Sequence, residues 1–228
     1  FRYLTIKVAP GVLIPRPETE VLVSEALREL QLPRVADHVL THEEGEEVVS
    51  ADLPPIRVLD VCTGSGCIAC AIASEYPAAQ VIALDIADEA VKLAEENTEE
   101  LGLQDRVEVR KSDLLEAVDP SEYGSFDLLI SNPPYIPTAV LEGLEKEVTE
   151  FEPRLALDGG KDGLDLVRIL FKEALLALKP KGVIALEFAL KDILEQAADL
   201  CQKAGFTDVR IVKDLTDRPR VLIGHAPQ

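Results

Sequence analysis

The chain has 228 residues and a formal net charge of −19 at neutral pH, and 47% of its residues are hydrophobic and 29% charged, as in ordinary globular domains. It contains no apolar run of the roughly 18 residues needed to cross a bilayer, and it does not open on a signal-peptide pattern. Binding to phosphate-rich partners requires an excess of Lys and Arg, so no stable complex with nucleic acid is expected.

The first 55 residues are predicted to form a segment that packs on the main domain. Alternating apolar residues at positions 4–8 indicate a short strand, and a helical pattern begins near Pro17, a residue suited to a first helical turn. Residues 33–55 are polar and rich in Glu, which predicts a surface loop. We therefore expect an N-terminal segment over 1–55 and a main domain over 56–228.

In the main domain, short apolar runs typical of strands alternate with helical patterns. The predicted strands cover residues 56–61, 80–86, 106–111, 126–131, 183–189, 207–214 and 220–226. The predicted helices are one ending at residue 76 and those over 88–102, 164–178 and 191–204. This alternation predicts an α/β fold in which helices cover both faces of a mostly parallel sheet. Only a short polar turn separates the last two strands, which predicts an antiparallel hairpin at one edge.

Three cysteines need a separate interpretation. Cys62, Cys67 and Cys70 have the C-x4-C-x2-C spacing of some iron–sulfur proteins. We reject that interpretation, because Cys62 falls at a strand end, and Cys67 and Cys70 share one face of an apolar helix, where Cys behaves as a small core residue. We therefore predict no metal site. Buried, reduced thiols indicate an intracellular, reducing compartment.

Polar residues follow the first two strands of the main domain. The stretch Asp60–Gly66 is a Gly-rich turn between a strand and a helix, which lets a ligand approach the backbone closely. Asp85 ends the next strand, where a carboxylate can accept hydrogen bonds from both hydroxyls of a ribose. A tight turn and a helix cap are the alternatives, with Asp88 competing for the cap. Together the two features predict a nucleoside site at the carboxyl ends of the strands.

The next two strand ends carry an acid and an amide. Asp113 follows the third strand and can accept a hydrogen bond from an adenine amino group, with a turn or cap as the alternative. The sequence Asn132-Pro133-Pro134-Tyr135 follows the fourth strand. Its Asn side chain and a proline carbonyl can hold both hydrogens of an NH2 group, while Tyr135 keeps the group flat. A proline-rich turn without function is the alternative here.

Six stretches carry a resemblance to a known family. They are PGVLIPRPETE (10–20), LDVCTGSGCIA (59–69), LDI (84–86), SNPPYIP (131–137), EPRLALDGGKDGLD (152–165) and KDLTDRPRVLIG (213–224). In this order they resemble the HemK/PrmC family of protein-(glutamine N5) methyltransferases, which are class I enzymes dependent on S-adenosylmethionine. The NPPY part is shared with adenine-N6 and guanine-N2 methyltransferases of nucleic acids, whereas RPETE separates this family from them.

The resemblance implies a Rossmann-like sheet of seven strands, S-adenosylmethionine as cofactor and S-adenosylhomocysteine as product. The implied substrate is the glutamine of the Gly-Gly-Gln motif in a peptide-chain release factor. The implied cofactor-binding residues are Asp60, Thr63, Gly64, Ser65, Gly66, Asp85, Ile86, Asp113, Leu114 and Asn132. The implied substrate-binding residues are Val12, Pro15, Arg16, Glu18, Asn132, Pro133, Pro134 and Tyr135. The resemblance assigns catalytic roles to three of these, Asn132, Pro133 and Tyr135.

The chain departs from the family pattern in several places. Cys62 stands where Gly is usual, and residues 187–193 replace the usual Glu-Ile-Gly-x-x-Gln. The helical N-terminal domain with which the family contacts the release factor is expected to be absent. The sequence around Cys62 and the long insert at 33–55 resemble eukaryotic organellar members, so the mitochondrial matrix is favoured over the bacterial cytoplasm.

Two other functions stay open at this point. The NPPY sequence also suits an N-methyltransferase for an exocyclic amine of DNA or RNA, which the net charge of −19 disfavours. A non-catalytic, nucleoside-binding partner subunit is the second alternative, and the intact NPPY sequence argues against it. We expect a monomer that acts on a release factor and does not associate with membranes.

Overall fold

The computed structural model describes residues 1–30, 53–141, 143 and 152–228. The strands are β1 (Ile56–Val61), β2 (Ala79–Asp85), β3 (Val107–Lys111), β4 (Phe126–Ser131), β5 (Leu178–Glu187), β6 (Thr207–Lys213) and β7 (Pro219–His225). The α-helices in these ranges are α1 (Pro17–Glu29), α2 (Cys67–Glu75), α3 (Asp88–Glu100), α4 (Thr138–Leu141), α5 (Asp165–Ala177) and α6 (Lys191–Ala204). Single 3-10 turns occur at Pro120–Glu122 and Arg154–Ala156.

The strands form one seven-stranded sheet in the order β3-β2-β1-β4-β5-β7-β6. Every pairing among β1 to β5 is parallel, whereas β7 runs antiparallel to both β5 and β6. The predicted fold class and its antiparallel hairpin at one edge are therefore confirmed. The strand order reverses between β1 and β4, and such a switch point opens a crevice at the carboxyl ends of the strands.

Helices cover both faces of the sheet, because the side chains of each buried strand alternate between two apolar clusters. Val58 of β1 packs with α1 and α2 on one face, while its neighbour Leu59 packs with α5 and α6 on the other. Strands buried on both faces read as continuous apolar runs, and this is why the sequence predicted them well. Cys67 and Cys70 of α2 are buried in the cluster that contains α1 and α2, as expected for core residues.

The N-terminal segment differs from the prediction, because residues 4–8 do not form a strand. A side chain of α3 takes the place of a neighbouring strand: the Lys7 N–H donates to Asn97 Oδ1 at 2.7 Å, and Asn97 Nδ2 donates to the Lys7 carbonyl at 3.1 Å. Leu4 and Ile6 pack against the apolar cluster that contains α1 and α2, which explains why apolar residues alternate in this part of the sequence. The loop predicted at 33–55 falls almost entirely outside the described residues.

The start of β5 also differs from the prediction. The helix ends before Lys179–Gly182, as predicted, because α5 ends at Ala177. Strand β5 starts immediately afterwards, at Leu178 rather than at Val183. The register with β4 shifts between Phe126 and Leu128, which pair with Leu178 and Val183 respectively. A bulge of this kind accommodates Pro180, which has no N–H to donate to a regular ladder.

Within the described ranges, no helix is both long enough and apolar enough to cross a membrane.

Candidate active site

A cavity of about 160 Å³ lies at the carboxyl ends of β1, β2, β3 and β4. The extended segment before α1 forms one of its walls, and the loops that follow the four strands form the rest. The structure therefore brings most of the predicted site residues together around one space. Those that line it are Val12, Pro15, Arg16, Thr63, Gly64, Ser65, Asp85, Ile86, Asp113, Leu114, Asn132 and Pro134.

Five predicted site residues do not line this cavity, namely Glu18, Asp60, Gly66, Pro133 and Tyr135. Asp60 is fully buried beneath the Gly-rich turn, and Pro133 is buried in the corner that follows β4. The Tyr135 ring is turned toward the core, where its centroid lies 5.6 Å from that of Phe188. Asp60 therefore lies beneath the cavity wall, whereas Tyr135 is half-buried and packs against the core.

The Gly-rich turn at 62–66 is held from below by Asp60. Its carboxylate accepts a hydrogen bond from the Thr63 hydroxyl at 2.5 Å and another from the Ala69 N–H at 3.1 Å. Burial raises the pKa of Asp60 to about 7, although these two hydrogen bonds oppose the rise. Asp60 thus fixes both the turn and the first turn of α2, and this leaves Gly64 at the cavity surface.

Gly66 packs closely against Ala94 of α3. Its φ is +77°, and a Cβ added there would lie 3.1 Å from the Cβ of Ala94. A side chain would therefore meet both an unfavourable backbone conformation and a steric contact.

Gly66→Ala is expected to lower the free energy of unfolding by about 2 kcal/mol, the sum of these two effects. Urea unfolding of the ligand-free protein measures the change. Gly102→Ala is the matched control, because φ there is +66° and no heavy atom lies within 4 Å of the added Cβ. It should cost only the backbone contribution, about 1 kcal/mol. Equal losses in the two variants would mean that the contact with Ala94 carries no cost.

Asp85 connects the end of β2 to the Gly-rich turn. One carboxylate oxygen accepts a hydrogen bond from the Gly64 N–H at 2.9 Å and the other from the Ala87 N–H at 3.0 Å. Ala87 is the N-cap residue of α3, so Asp85 does not cap that helix. Burial raises the pKa of Asp85, and its backbone hydrogen bonds oppose the rise. Each carboxylate oxygen keeps acceptor capacity for a ligand.

The end of β4 places an amide at the cavity. The Ser131 hydroxyl donates to the Val61 carbonyl, which joins the ends of β4 and β1. Asn132 is half-buried and lines the cavity, and among the described residues no hydrogen bond engages its carboxamide. The two prolines that follow are buried and lack N–H groups, so they fix the direction in which the corner leaves the sheet.

Several lining residues were not predicted. Thr19 lies in the first turn of α1, and Cys62 follows the end of β1. Pro153, Leu155, Ala156 and Leu166 reach the cavity from far along the chain. The family stretch 152–165 is the one sequence signal for the first three of these residues, and Leu166 falls just beyond it.

The cysteines have no features of a reactive or metal-binding group. All four thiols are free, and desolvation raises the pKa of Cys62, Cys67 and Cys201 to about 12, so these thiols are protonated at neutral pH. In the part of the chain that the structure describes, no group of three or more His, Cys, Asp or Glu residues is arranged to hold a metal ion.

Comparison with solved structures places the fold among methyltransferases. A methyltransferase from Pyrococcus furiosus superimposes with a TM-score of 0.64 at 21% identity, covering 98% of this chain and 89% of that one. The N-terminal domain of human METTL16 in complex with SAH gives a TM-score of 0.65 at 17% identity, covering 98% of this chain and 76% of that one. At these identities the likeness establishes the fold alone.

Comparison with sequences is more specific. The family model described as "Methyltransferase small domain" matches residues 44–146. The release factor glutamine methyltransferase of Caulobacter vibrioides is 40% identical over 98% of this chain and 69% of its own length. That of Geobacter sulfurreducens is 39% identical over 97% of this chain and 68% of its own length. This chain therefore belongs to the family of release factor glutamine methyltransferases.

Proposed function

We propose that this protein transfers the methyl group of S-adenosylmethionine to the side-chain amide nitrogen of the glutamine in the Gly-Gly-Gln motif of a peptide-chain release factor. The observation that carries the proposal is that Asn132 lines the same cavity as Asp85 and Asp113, with Val12 to Arg16 also lining it. The residues predicted to bind the nucleoside and those predicted to bind the amide thus line one space in a member of this family.

The acidic groups at the cavity fit the cofactor. Asp85 and Asp113 line the cavity and form no ion pair within the described ranges. S-adenosylmethionine carries a sulfonium and an ammonium group, so uncompensated carboxylates attract it. Asp85 would hold the ribose hydroxyls and Asp113, which is exposed, the adenine amino group. When bound, the cofactor supplies a methyl group on a sulfonium leaving group.

Asn132 and Pro133 would orient the amide that is methylated. An amide nitrogen is a weak nucleophile because its lone pair is delocalised into the carbonyl. The Asn132 side-chain oxygen and the Pro133 carbonyl, both acceptors, would bind the two amide hydrogens and stabilise the positive charge that develops on nitrogen. Orientation and electrostatic stabilisation are then the main contributions of the protein.

Tyr135 contributes shape to this half of the site. Burial raises its pKa to about 12, with the Glu187 charge as a second cause, so the phenol stays protonated at neutral pH and does not act as a base. His225 lies at the opposite end of the sheet, beside Glu29 of α1. Within the described residues, no histidine therefore faces the cavity, and the mechanism requires none.

The wall before α1 would contact the release factor. Arg16 forms an ion pair with Glu152, which is buried, so the wall is tied to the segment leading to residues 153–156. Ile14 and Leu155 line the cavity and are exposed, which gives its rim an apolar character. Glu18 lies outside the cavity and would contact the substrate only at the periphery.

Mass spectrometry of a release factor tests the proposal. Incubation with the protein and S-adenosylmethionine should add 14 mass units, about one methyl group in exchange for hydrogen, to the peptide containing Gly-Gly-Gln, and a Gly-Gly-Ala variant should gain none. Duplex DNA and RNA in parallel should bind feebly at about 50 mM salt and accept no methyl group, because the net charge is −19. Methylation of nucleic acid instead of the release factor would establish the alternative function. Cofactor binding without any transfer would indicate the non-catalytic subunit.

The compartment and the oligomeric state are part of the same proposal. Four free thiols suit a reducing, intracellular compartment. The relatives named above are bacterial and give no support to the preference for the mitochondrial matrix. We propose a monomer that contacts the release factor transiently.

A further inference from the structure

The chain folds back on the NPPY corner through a loop that the proposed function has not used. This supporting loop comprises residues 157–163. Ile136, just after the corner, donates its N–H to the Leu157 carbonyl at 2.9 Å and accepts at its own carbonyl from the Gly159 N–H at 2.9 Å. The two segments thus form an isolated parallel bridge between Ile136 and Asp158.

A second pair of hydrogen bonds extends this contact toward α4. The Thr138 N–H donates to the Gly160 carbonyl at 2.8 Å, and the Thr138 hydroxyl donates to Asp158 Oδ1 at 2.6 Å. This hydroxyl is the main cause of a lowered pKa at Asp158, which stays ionised at neutral pH. The supporting loop therefore binds both backbone and side-chain groups on the segment that leaves the corner.

Two glycines allow the supporting loop to approach the backbone of Tyr135 directly. A Cβ added at Gly159 would lie 2.7 Å from Tyr135 Cα, and one added at Gly163 would lie 2.3 Å from the Tyr135 carbonyl oxygen. Real Cβ atoms do not come this close to backbone atoms, so any side chain at either position would displace the corner.

The supporting loop is itself held by the start of α5. The Asp165 N–H donates to the Gly159 carbonyl at 3.0 Å, and Asp165 Oδ2 accepts from the Lys161 N–H at 3.1 Å. The loop therefore connects the start of α5 to the backbone of Tyr135 through hydrogen bonds and close packing. No residue of the loop lines the cavity, so it does not contact a bound cofactor there.

We propose that the supporting loop is a positioning element for methyl transfer, in which Gly159 and Gly163 set the placement of the NPPY corner against the substrate amide. The inference rests on the proposed function and adds the residues that orient its amide-binding half. A displacement of about 1 Å of catalytic groups typically costs on the order of 10²-fold in rate. The loop should therefore govern kcat while the cofactor half, around Gly64 and Asp85, keeps its affinity.

Gly163→Ala tests this directly, with Gly124→Ala as the matched control. Both positions have similar positive φ, +79° and +70°, but nothing lies within 4 Å of a Cβ at Gly124. We expect kcat on a release factor to fall at least about tenfold in Gly163→Ala, with the Kd for S-adenosylmethionine within about threefold of wild type. Gly124→Ala should keep wild-type kcat. Normal kcat in folded Gly163→Ala, or a parallel loss of cofactor affinity, would overturn the proposal.

Thr138→Val provides a milder variant, should Gly163→Ala fail to fold. It removes the hydroxyl that binds Asp158 and keeps the branched shape of the side chain. The expected result is a severalfold lower kcat, with the Kd for the cofactor unchanged. Unchanged kcat here contradicts the proposal on its own. Wild-type activity on the release factor is measured first, so that failure of the proposed function is distinguished from failure of this inference.

Discussion

Asn132→Ala is expected to lower kcat for glutamine methylation by about 10²–10³ and to leave the Kd for S-adenosylmethionine within a few-fold of wild type. Asn132 lines the cavity at the end of β4, and no described residue engages its carboxamide. Its acceptor oxygen is therefore available to an amide hydrogen of the substrate. That hydrogen bond strengthens as positive charge develops on nitrogen. Its loss should therefore destabilise the transition state more than the complex with bound substrate.

Steady-state kinetics separate this role from a structural one. Removal of an interaction made only in the transition state lowers kcat and kcat/KM together, whereas loss of simple substrate binding raises KM alone. Asn132→Asp is the matched variant, since it keeps an acceptor oxygen at the same place and should retain more activity than Ala. An Asn132→Ala enzyme with normal kcat at saturating release factor would mean that the NPPY corner is only a turn.

The strands could be predicted from the sequence because burial on both faces leaves an unbroken apolar run. β1 and β4 begin and end at the predicted residues, Ile56–Val61 and Phe126–Ser131. The prediction was wrong for residues 4–8, where the hydrogen-bonding partner is the side chain of Asn97, 90 positions away. Apolar alternation shows which side chains face the core, but it does not show which group forms the hydrogen bonds with the backbone.

The site was predictable to the extent that it follows from strand order. Asp85, Asp113 and Asn132 come at or just after the ends of parallel strands, so the topology alone brings them to one edge of the sheet. Pro153, Leu155 and Ala156 reach the cavity only because the chain returns to the corner after β4, and no local pattern encodes that contact. The inward turn of Tyr135 likewise depends on its packing against Phe188.

Cys62 shows what a departure from a family pattern means physically. Gly is usual there, and Cys62 has a φ of +59°, in the left-handed region that favours Gly. A non-Gly residue in this conformation costs about 1–2 kcal/mol. Leu114, another lining residue, has a φ of +45°. Two strained residues around one cavity fit the tendency of functional sites to retain backbone strain that the surrounding structure must offset.

Asp85→Ala is expected to weaken binding of S-adenosylmethionine by about tenfold or more, which corresponds to at least about 1.4 kcal/mol. Two contributions add. The substitution removes the acceptors for the ribose hydroxyls, each worth about 1.5–3 kcal/mol when charge-assisted. It also frees the Gly64 N–H, which Asp85 holds at 2.9 Å, and so loosens the Gly-rich turn at the cavity surface. Isothermal titration calorimetry measures the Kd.

Two further variants separate these contributions. Asp88→Ala removes a nearby exposed carboxylate that pairs with Lys111 and does not line the cavity. The Kd of this variant for S-adenosylmethionine should match that of wild type, which would exclude a general effect of net charge. Asp85→Asn keeps an oxygen that can accept from Gly64 but loses the charge that strengthens the ribose bonds, so its affinity should lie between wild type and Ala. If folded Asp85→Ala binds the cofactor as tightly as wild type, the nucleoside does not lie at the end of β2, and Asp85 serves only to join that strand to the turn.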